Sequence, residues 1–227
     1  QRPVITSLAP KGYIDGMKMV WNSAGSITFE SGTAYIESLS EIVELAASVT
    51  KSVSGLTPNT FYHNYLYASG GVADVEISAT APATPYIGTA RSKTGDPSRR
   101  YIGSFLSTAA GGIRRFVQYE TEVSYLDTLG TVPYRILAAG SATTTTPVSV
   151  LPAAPITAVQ FKGQLINNVA TGFFVISAPG GTLEIISIPP SSRVVQYLPI
   201  FNSQMFYYNT NTGGSSFIDL HAYVFER

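Results

Sequence analysis

Thr60-Phe61-Tyr62-His63-Asn64-Tyr65-Leu66-Tyr67, followed by Ser69-Gly70-Gly71 and then by Val75, Ile77 and Ala79 alternating with Asp74, Glu76 and Ser78, is the stretch that decides the fold. Aromatic side chains packed this densely suit a pleated, half-buried surface. The paired glycines supply the backbone freedom a tight reversal needs, and strict alternation on the far side marks a second strand. The stretch predicts an antiparallel β-hairpin with one face packed and one face wet.

Working outward, the same two-residue period recurs between turn signals along the whole chain. Thr80-Ala81-Pro82-Ala83-Thr84-Pro85 forces an extended connection, because proline lacks a donor and pushes its predecessor out of the helical region. Lys93-Thr94-Gly95-Asp96-Pro97 predicts a turn before a strand through Tyr101, Gly103 and Phe105, and Gly111-Gly112 reverses the chain into a strand over Ile113 to Tyr125. Upstream, Glu37 to Val53 carries two patterns. Ser38 and Glu41 have capping-box spacing, with Leu39, Ile42, Val43, Ala46 and Val49 as a helical stripe. Val43, Leu45, Ala47, Val49 and Val53 also share one strand parity, and the β-branched content favours the strand. Trp21, the only tryptophan, is expected in the core of this first module.

Gly140-Ser141-Ala142-Thr143-Thr144-Thr145-Thr146-Pro147 is small, polar and closed by proline, as linkers are. Beyond it, apolar runs at Ile156–Phe161, Phe173–Ile176, Leu183–Ile188, Val194–Phe201, Met205–Tyr208 and Phe217–Phe225 are separated by Asn-Asn, Pro-Gly-Gly, Pro-Pro-Ser-Ser and Thr-Gly-Gly-Ser-Ser. The expectation is all-β: antiparallel β-sandwich or jelly-roll-like modules, with a β-rich module over residues 1–140, a linker at 141–147 and a small C-terminal sandwich at 148–227. A sandwich of that size buries a modest fraction of its surface and gains stability by association with copies of itself.

The 227 residues and 24.2 kDa are enough for a real core without staples, and the absence of cysteine excludes a disulfide scaffold. Charged residues are 12% of the chain, with 14 Lys plus Arg balancing 14 Asp plus Glu, so little charge keeps copies apart. A pI near 6.9 excludes a generally basic nucleic-acid binder or an acidic tail, and no nucleic-acid partner is expected. No apolar run approaches the ~20 residues a membrane helix needs, so membrane insertion is not expected. Gln1 opens the chain without Met and without a charged-then-apolar leader; no signal peptide is expected, and whether the start is complete stays open.

From Trp21 to Phe116 the chain resembles a module of tail-fibre, tail-tip and other appendage proteins of tailed bacteriophages and prophages. The resemblance is carried by Thr60 to Tyr67, by Val75-Glu76-Ile77-Ser78-Ala79-Thr80-Ala81-Pro82, and above all by Gly88-Thr89-Ala90-Arg91-Ser92-Lys93-Thr94-Gly95-Asp96-Pro97-Ser98-Arg99-Arg100-Tyr101-Ile102-Gly103-Ser104-Phe105. Leu220-His221-Ala222-Tyr223-Val224-Phe225-Glu226-Arg227 is similar to the terminal strand of many such proteins, whereas residues 147–206 carry no such likeness. The resemblance implies a virion structural component made in the host cytoplasm, a homotrimer contacting other virion proteins and a host-surface polysaccharide or protein.

Chemistry-bearing residues are sparse. His63 and His221 are the only histidines, each inside an aromatic strand and outside any nucleophile motif; with no cysteine, neither a triad nor a zinc site is expected. Asp74 with Glu76, and Glu120 with Glu122, stand about 7 Å apart on strands, within the window for glycoside cleavage. Such alternation is ordinarily the solvated face of a strand. No Walker loop, dinucleotide fingerprint or zincin motif occurs. Between Arg91 and Arg115, Arg91, Lys93, Arg99, Arg100, Arg114 and Arg115 face only Asp96, a local balance of +5 that predicts a basic patch, used either for an anionic surface or for ion pairs with carboxylates elsewhere or on a neighbouring subunit. Tyr207, Tyr208, Asn209 and Asn211 offer rings and amides suited to sugars, and are the expected glycan contact; the alternative is core or intersubunit packing.

The function expected is a non-enzymatic tail or fibre subunit involved in host adhesion, with no cofactor and no metal. The alternatives are a head fibre or capsid decoration protein, and a small carbohydrate-active depolymerase.

Overall fold

The structure is a computed structural model, and it describes residues 10–128, 130–181 and 183–227. No α-helix occurs among the described residues; the one helical turn is a 3-10 turn at Pro179–Gly181. The chain is all-β, built of antiparallel sheets. Among the described residues no helix is long and apolar enough to cross a membrane. It forms two compact units, one of residues 1–121 with Glu226 and Arg227, the other of Glu122–Phe225.

Among its described residues the first unit holds eleven strands: β1 Ile14–Gly16, β2 Met19–Ser23, β3 Ser26–Phe29, β4 Gly32–Ile36, β5 Glu41–Leu45, β6 Val49–Ser52, β7 Phe61–Ser69, β8 Val72–Ser78, β9 Ser92–Lys93, β10 Asp96–Leu106 and β11 Phe116–Tyr119. They pair as β1-β4-β5, β2-β3-β6 and β8-β7-β10-β9. The deciding hairpin is β7–β8. Ser69 pairs with Val72, so Gly70-Gly71 is a two-residue loop with φ of +58° and +79°, the left-handed geometry whose twist matches that of the strands.

The expected wet face is only partly wet. His63, Asn64, Tyr65 and Leu66 are all buried in succession, because β7 lies inside its sheet and is covered on both faces. β10, on its other side, is likewise buried from Arg100 to Leu106. A bulge between Tyr101 and Gly103 sets Gly103 opposite Asn64, whose amide donates to the Gly103 carbonyl at 3.2 Å.

Glu37 to Val53 is strand rather than helix, but as two strands in two sheets: β5 pairs with β4 and β6 pairs with β3. Ile113 to Tyr125 is also divided, at Glu120, whose φ of +50° ends β11. Trp21 is half-buried rather than in the core; its indole donates to the Ile113 carbonyl at 3.2 Å. Where β1 leaves Gly16 and β4 begins at Gly32, the backbones touch: a Cβ at Gly32 would run into the Asp15 carbonyl oxygen and the Met17 amide nitrogen.

The second unit contains β12 Glu122–Tyr125, β13 Arg135–Gly140, β14 Thr146–Ser149, β15 Ala158–Asn167, β16 Phe174–Ser177, β17 Glu184–Ile188, β18 Ser192–Pro199, β19 Met205–Thr210 and β20 Ser216–Phe225. Each of the six apolar runs expected beyond residue 147 carries a strand. The pairing is nested: β13 with β20, β14 with β19, β15 with β18, β16 with β17. Two sheets result, β12-β20-β15-β18 with β13 also on β20, and β14-β19-β16-β17. Their inner faces meet through rings such as Phe161 and Phe206, whose centroids are 5.4 Å apart.

The segment 141–147, expected as a linker, lies within this unit. Thr210 N–H donates to the Ala142 carbonyl at 2.7 Å and Thr146 opens β14, so polar composition here reflects a connection between two sheets rather than between two modules.

Candidate functional site

The basic residues between Arg91 and Arg115 do not form an open patch. Arg91 pairs with Glu226 at 3.3 Å, Lys93 bonds Glu76, and Arg99 donates to Glu76 at 2.7 Å while lying over the Tyr67 ring at 4.2 Å. Arg114 donates to the Ser107 carbonyl and to Asn59 Oδ1, and Arg115 lies over Trp21 at 5.7 Å. Arg100 is no surface residue at all. It is 1% exposed, donates to the carbonyls of Arg91, Tyr101 and Gly12 at 3.3 Å each, and its burial lowers its pKa. Ion pairing within the chain therefore accounts for Arg91, Lys93 and Arg99.

The same pairs engage the acidic residues. Burial alone would raise Asp74 and Glu76, but hydrogen bonds from Lys51, the Val75 N–H and Tyr67 to the first, and from Lys93 and Arg99 to the second, outweigh it and hold both below the usual carboxylate range. Glu122 accepts from Ser124 and from Tyr197. His63 hydrogen-bonds Ser104 at 2.7 Å, and Ser104 in turn meets the Tyr101 hydroxyl at 2.8 Å; burial pushes the imidazole down to about 4, so it is neutral near pH 7. Burial also lowers His221, whose Nε2 has no hydrogen-bond partner. Among the described residues no group of three metal-ligating side chains occurs.

The expected glycan segment lies on β19, where alternation separates its members. Phe206, Tyr208 and Thr210 point into the core, and Tyr208 sits edge-on to Phe174 with centroids 5.9 Å apart. Tyr208 is thus a core residue. Asn211 caps a loop, its Oδ1 accepting from the Phe173 N–H at 2.7 Å. Tyr207 and Asn209 stay half-exposed, with Tyr207 against Phe201. The four residues do not converge on one site.

What does converge lies on the outer face of the β12-β20-β15-β18 sheet. Ile166 on β15 stands between Phe217 on β20 and Arg193 on β18; one pleat away, Gln164 stands between Asp219 and Val195. With strands about 4.8 Å apart and alternate residues about 7 Å apart, the floor measures about 10 Å by 7 Å. Over it is an open cavity of about 300 Å³, lined as well by Gly130, Arg135 and Asn168. Arg135 meets Asp219 through two hydrogen bonds, 2.8 Å and 2.9 Å, and lies over the Phe217 ring at 4.8 Å.

The rim is held firmly. Buried Asn167 donates to the carbonyls of Gly172, Ile188 and Pro189 and accepts from the Val169 N–H, while the Asn168 N–H donates to the Ser215 carbonyl. Its neighbour Asn168 is therefore presented by a pinned loop. Sequence patterning missed this site because its residues come from separate strands. One signal existed: Asp219 interrupts the apolar run Phe217 to Phe225, and a carboxylate buried there requires a cation. A second cavity, in the first unit beside Lys51, Leu56, Tyr62 and Ile77, has its cation already bound to Asp74.

No protein-family model, curated protein or solved structure matches the chain.

Proposed function

We propose that this protein is a non-enzymatic structural subunit of a bacteriophage virion, carried on a tail or fibre appendage, whose second unit is a jelly roll that adheres to host-surface glycan. The observation that carries the reading is the nested pairing of β13 to β20. Numbering these eight strands in order, the sheets run 1-8-3-6 and 2-7-4-5, which is a long hairpin rolled on itself. Double-sheet jelly rolls of this kind serve in viral capsid and lectin domains. Fold analogy alone does not fix a function, and the polar cavity with an aromatic wall on the outer face of the first sheet adds a place for a sugar. The engagement of Asp74 and Glu76 in ion pairs supports a binding rather than a cleaving role.

Self-association has its own support. Val132 is 79% exposed and Leu183 63% exposed, with Leu126, Ile156, Phe173 and Val195 also open, in a chain with few charges to oppose contact between copies. A homotrimer is the expected state. Light scattering tests it directly, with a mass about three times 24.2 kDa expected and a monomer counting against a fibre subunit. The adhesive role is tested by competition: purified chain should block adsorption of the parent phage to its host, and undiminished adsorption at saturating protein would refute it.

A further inference from the structure

We propose that the cavity between Arg193 and Arg135 is a binding site for a pyranose bearing a carboxylate, that is, an acidic monosaccharide unit of a surface polysaccharide. The proposal rests on the adhesive reading above for its biological setting and on the cavity alone for its chemistry.

Charge comes first. Asp219 is 2% exposed and both its oxygens are taken by Arg135. Arg193, which lines the other side, has no carboxylate partner among the described residues. Two guanidinium groups against one carboxylate leave the site with a single uncompensated positive charge. A carboxylate carries one negative charge and matches the guanidinium fork in geometry. A phosphate monoester, with close to two negative charges at neutral pH, would exceed that single positive charge.

Size and polarity complete the assignment. A floor of about 10 Å by 7 Å under about 300 Å³ is at the lower limit of small-molecule pockets, fitting one sugar ring with its substituents. Phe217, half-buried beside Arg135, supplies the apolar edge for such a ring, with Ile166 buried beneath it. Among the described residues the side-chain amides of Gln164 and Asn168 have no hydrogen-bond partner, leaving donors and acceptors for hydroxyls. Arg135 is fixed by Asp219 and stacks on Phe217, so it shapes the wall rather than contributing free charge.

Ligand-observed saturation-transfer NMR on the full chain, with glucuronic acid, its neutral amide, glucose and inorganic phosphate as probes, tests the site. Glucuronic acid should bind about tenfold or more tightly than the amide or glucose, reflecting a charge-assisted bond. Arg193→Gln should abolish that preference, and Arg115→Gln, which removes an exposed charge in the other unit, should leave it intact. Gln164→Ala should weaken glucuronic acid and glucose alike. Equal binding of acid and amide, an Arg193→Gln protein that keeps the preference, or phosphate outcompeting glucuronic acid would each overturn the assignment. If glucuronic acid binds through Arg193 but the chain does not block phage adsorption, the site stands and the adhesive role falls. If the chain blocks adsorption without binding glucuronic acid, the role stands and the site falls.

Discussion

Asp219 and Arg135 face each other across β20 and β13 as a two-pronged pair, Nε to Oδ1 at 2.8 Å and Nη2 to Oδ2 at 2.9 Å, with the carboxylate buried and the guanidinium partly open to solvent. Removing the cation alone leaves an unpaired buried charge, the costly half of a broken ion pair. Arg135→Met should therefore destabilise the chain by about 3 kcal/mol. The double variant Arg135→Met with Asp219→Leu should recover most of that loss. Urea unfolding of the three proteins measures both, and a double variant no better than the single one would refute the account.

His63 sets the first step of acid sensitivity. Its folded pKa of about 4 lies below the ordinary 6.5, so the unfolded chain takes up a proton first. Its contribution is therefore complete above pH 6.5 and lost as pH falls towards 4, by roughly 3 kcal/mol in all. Asp74 and Glu76, held low, add stability above their unfolded values that disappears only at more acid pH. Thermal melts from pH 7.5 to 4 should show a falling Tm whose slope is reduced in His63→Leu, relative to that variant's own value at pH 7.5, buried His221 accounting for part of the fall that remains.

Gly32→Ala should destabilise by about 2 kcal/mol or more, because the added methyl meets the backbone of Asp15 and Met17 rather than a side chain able to move. Gly71→Ala, where a Cβ has open space and only the positive φ opposes it, should cost about 1 kcal/mol. Chemical denaturation ranks the two, and the reverse order would contradict the close approach of β1 and β4.

Tyr208 and Tyr207 should separate sharply despite being neighbours. Tyr208→Ala empties a core position beside Phe174 and should cost about 3–5 kcal/mol, whereas Tyr207→Ala should cost about 1 kcal/mol or less. Equal losses in unfolding experiments would mean that β19 does not alternate as described.

Strand positions were legible because period-two patterning is local: Val75 and Glu76 announce β8 without reference to any other segment. Sheet membership was not. Whether Val49 continues from Leu45 or crosses to another sheet depends on β3, some twenty residues earlier. The basic cluster misled for the same reason. Glu76 and Glu226, the acids that engage Lys93, Arg99 and Arg91, lie far from them in sequence, and Arg100 is drawn inward by carbonyls no motif reveals. The cavity draws its lining from β13, β15, β18 and β20, so only Asp219, out of place among apolar neighbours, hinted at it.

The nested order of the second unit also constrains synthesis. β20 is the shared neighbour of β12, β13 and β15, so as the polypeptide leaves the ribosome these segments lack this partner, β15 having only β18, until residues 216–225 have emerged. Nearly a hundred residues of sticky, weakly charged chain are exposed meanwhile. Topologies dominated by distant pairings fold slowly and risk aggregation, and here the interval of greatest exposure closes only when β20 joins its sheet.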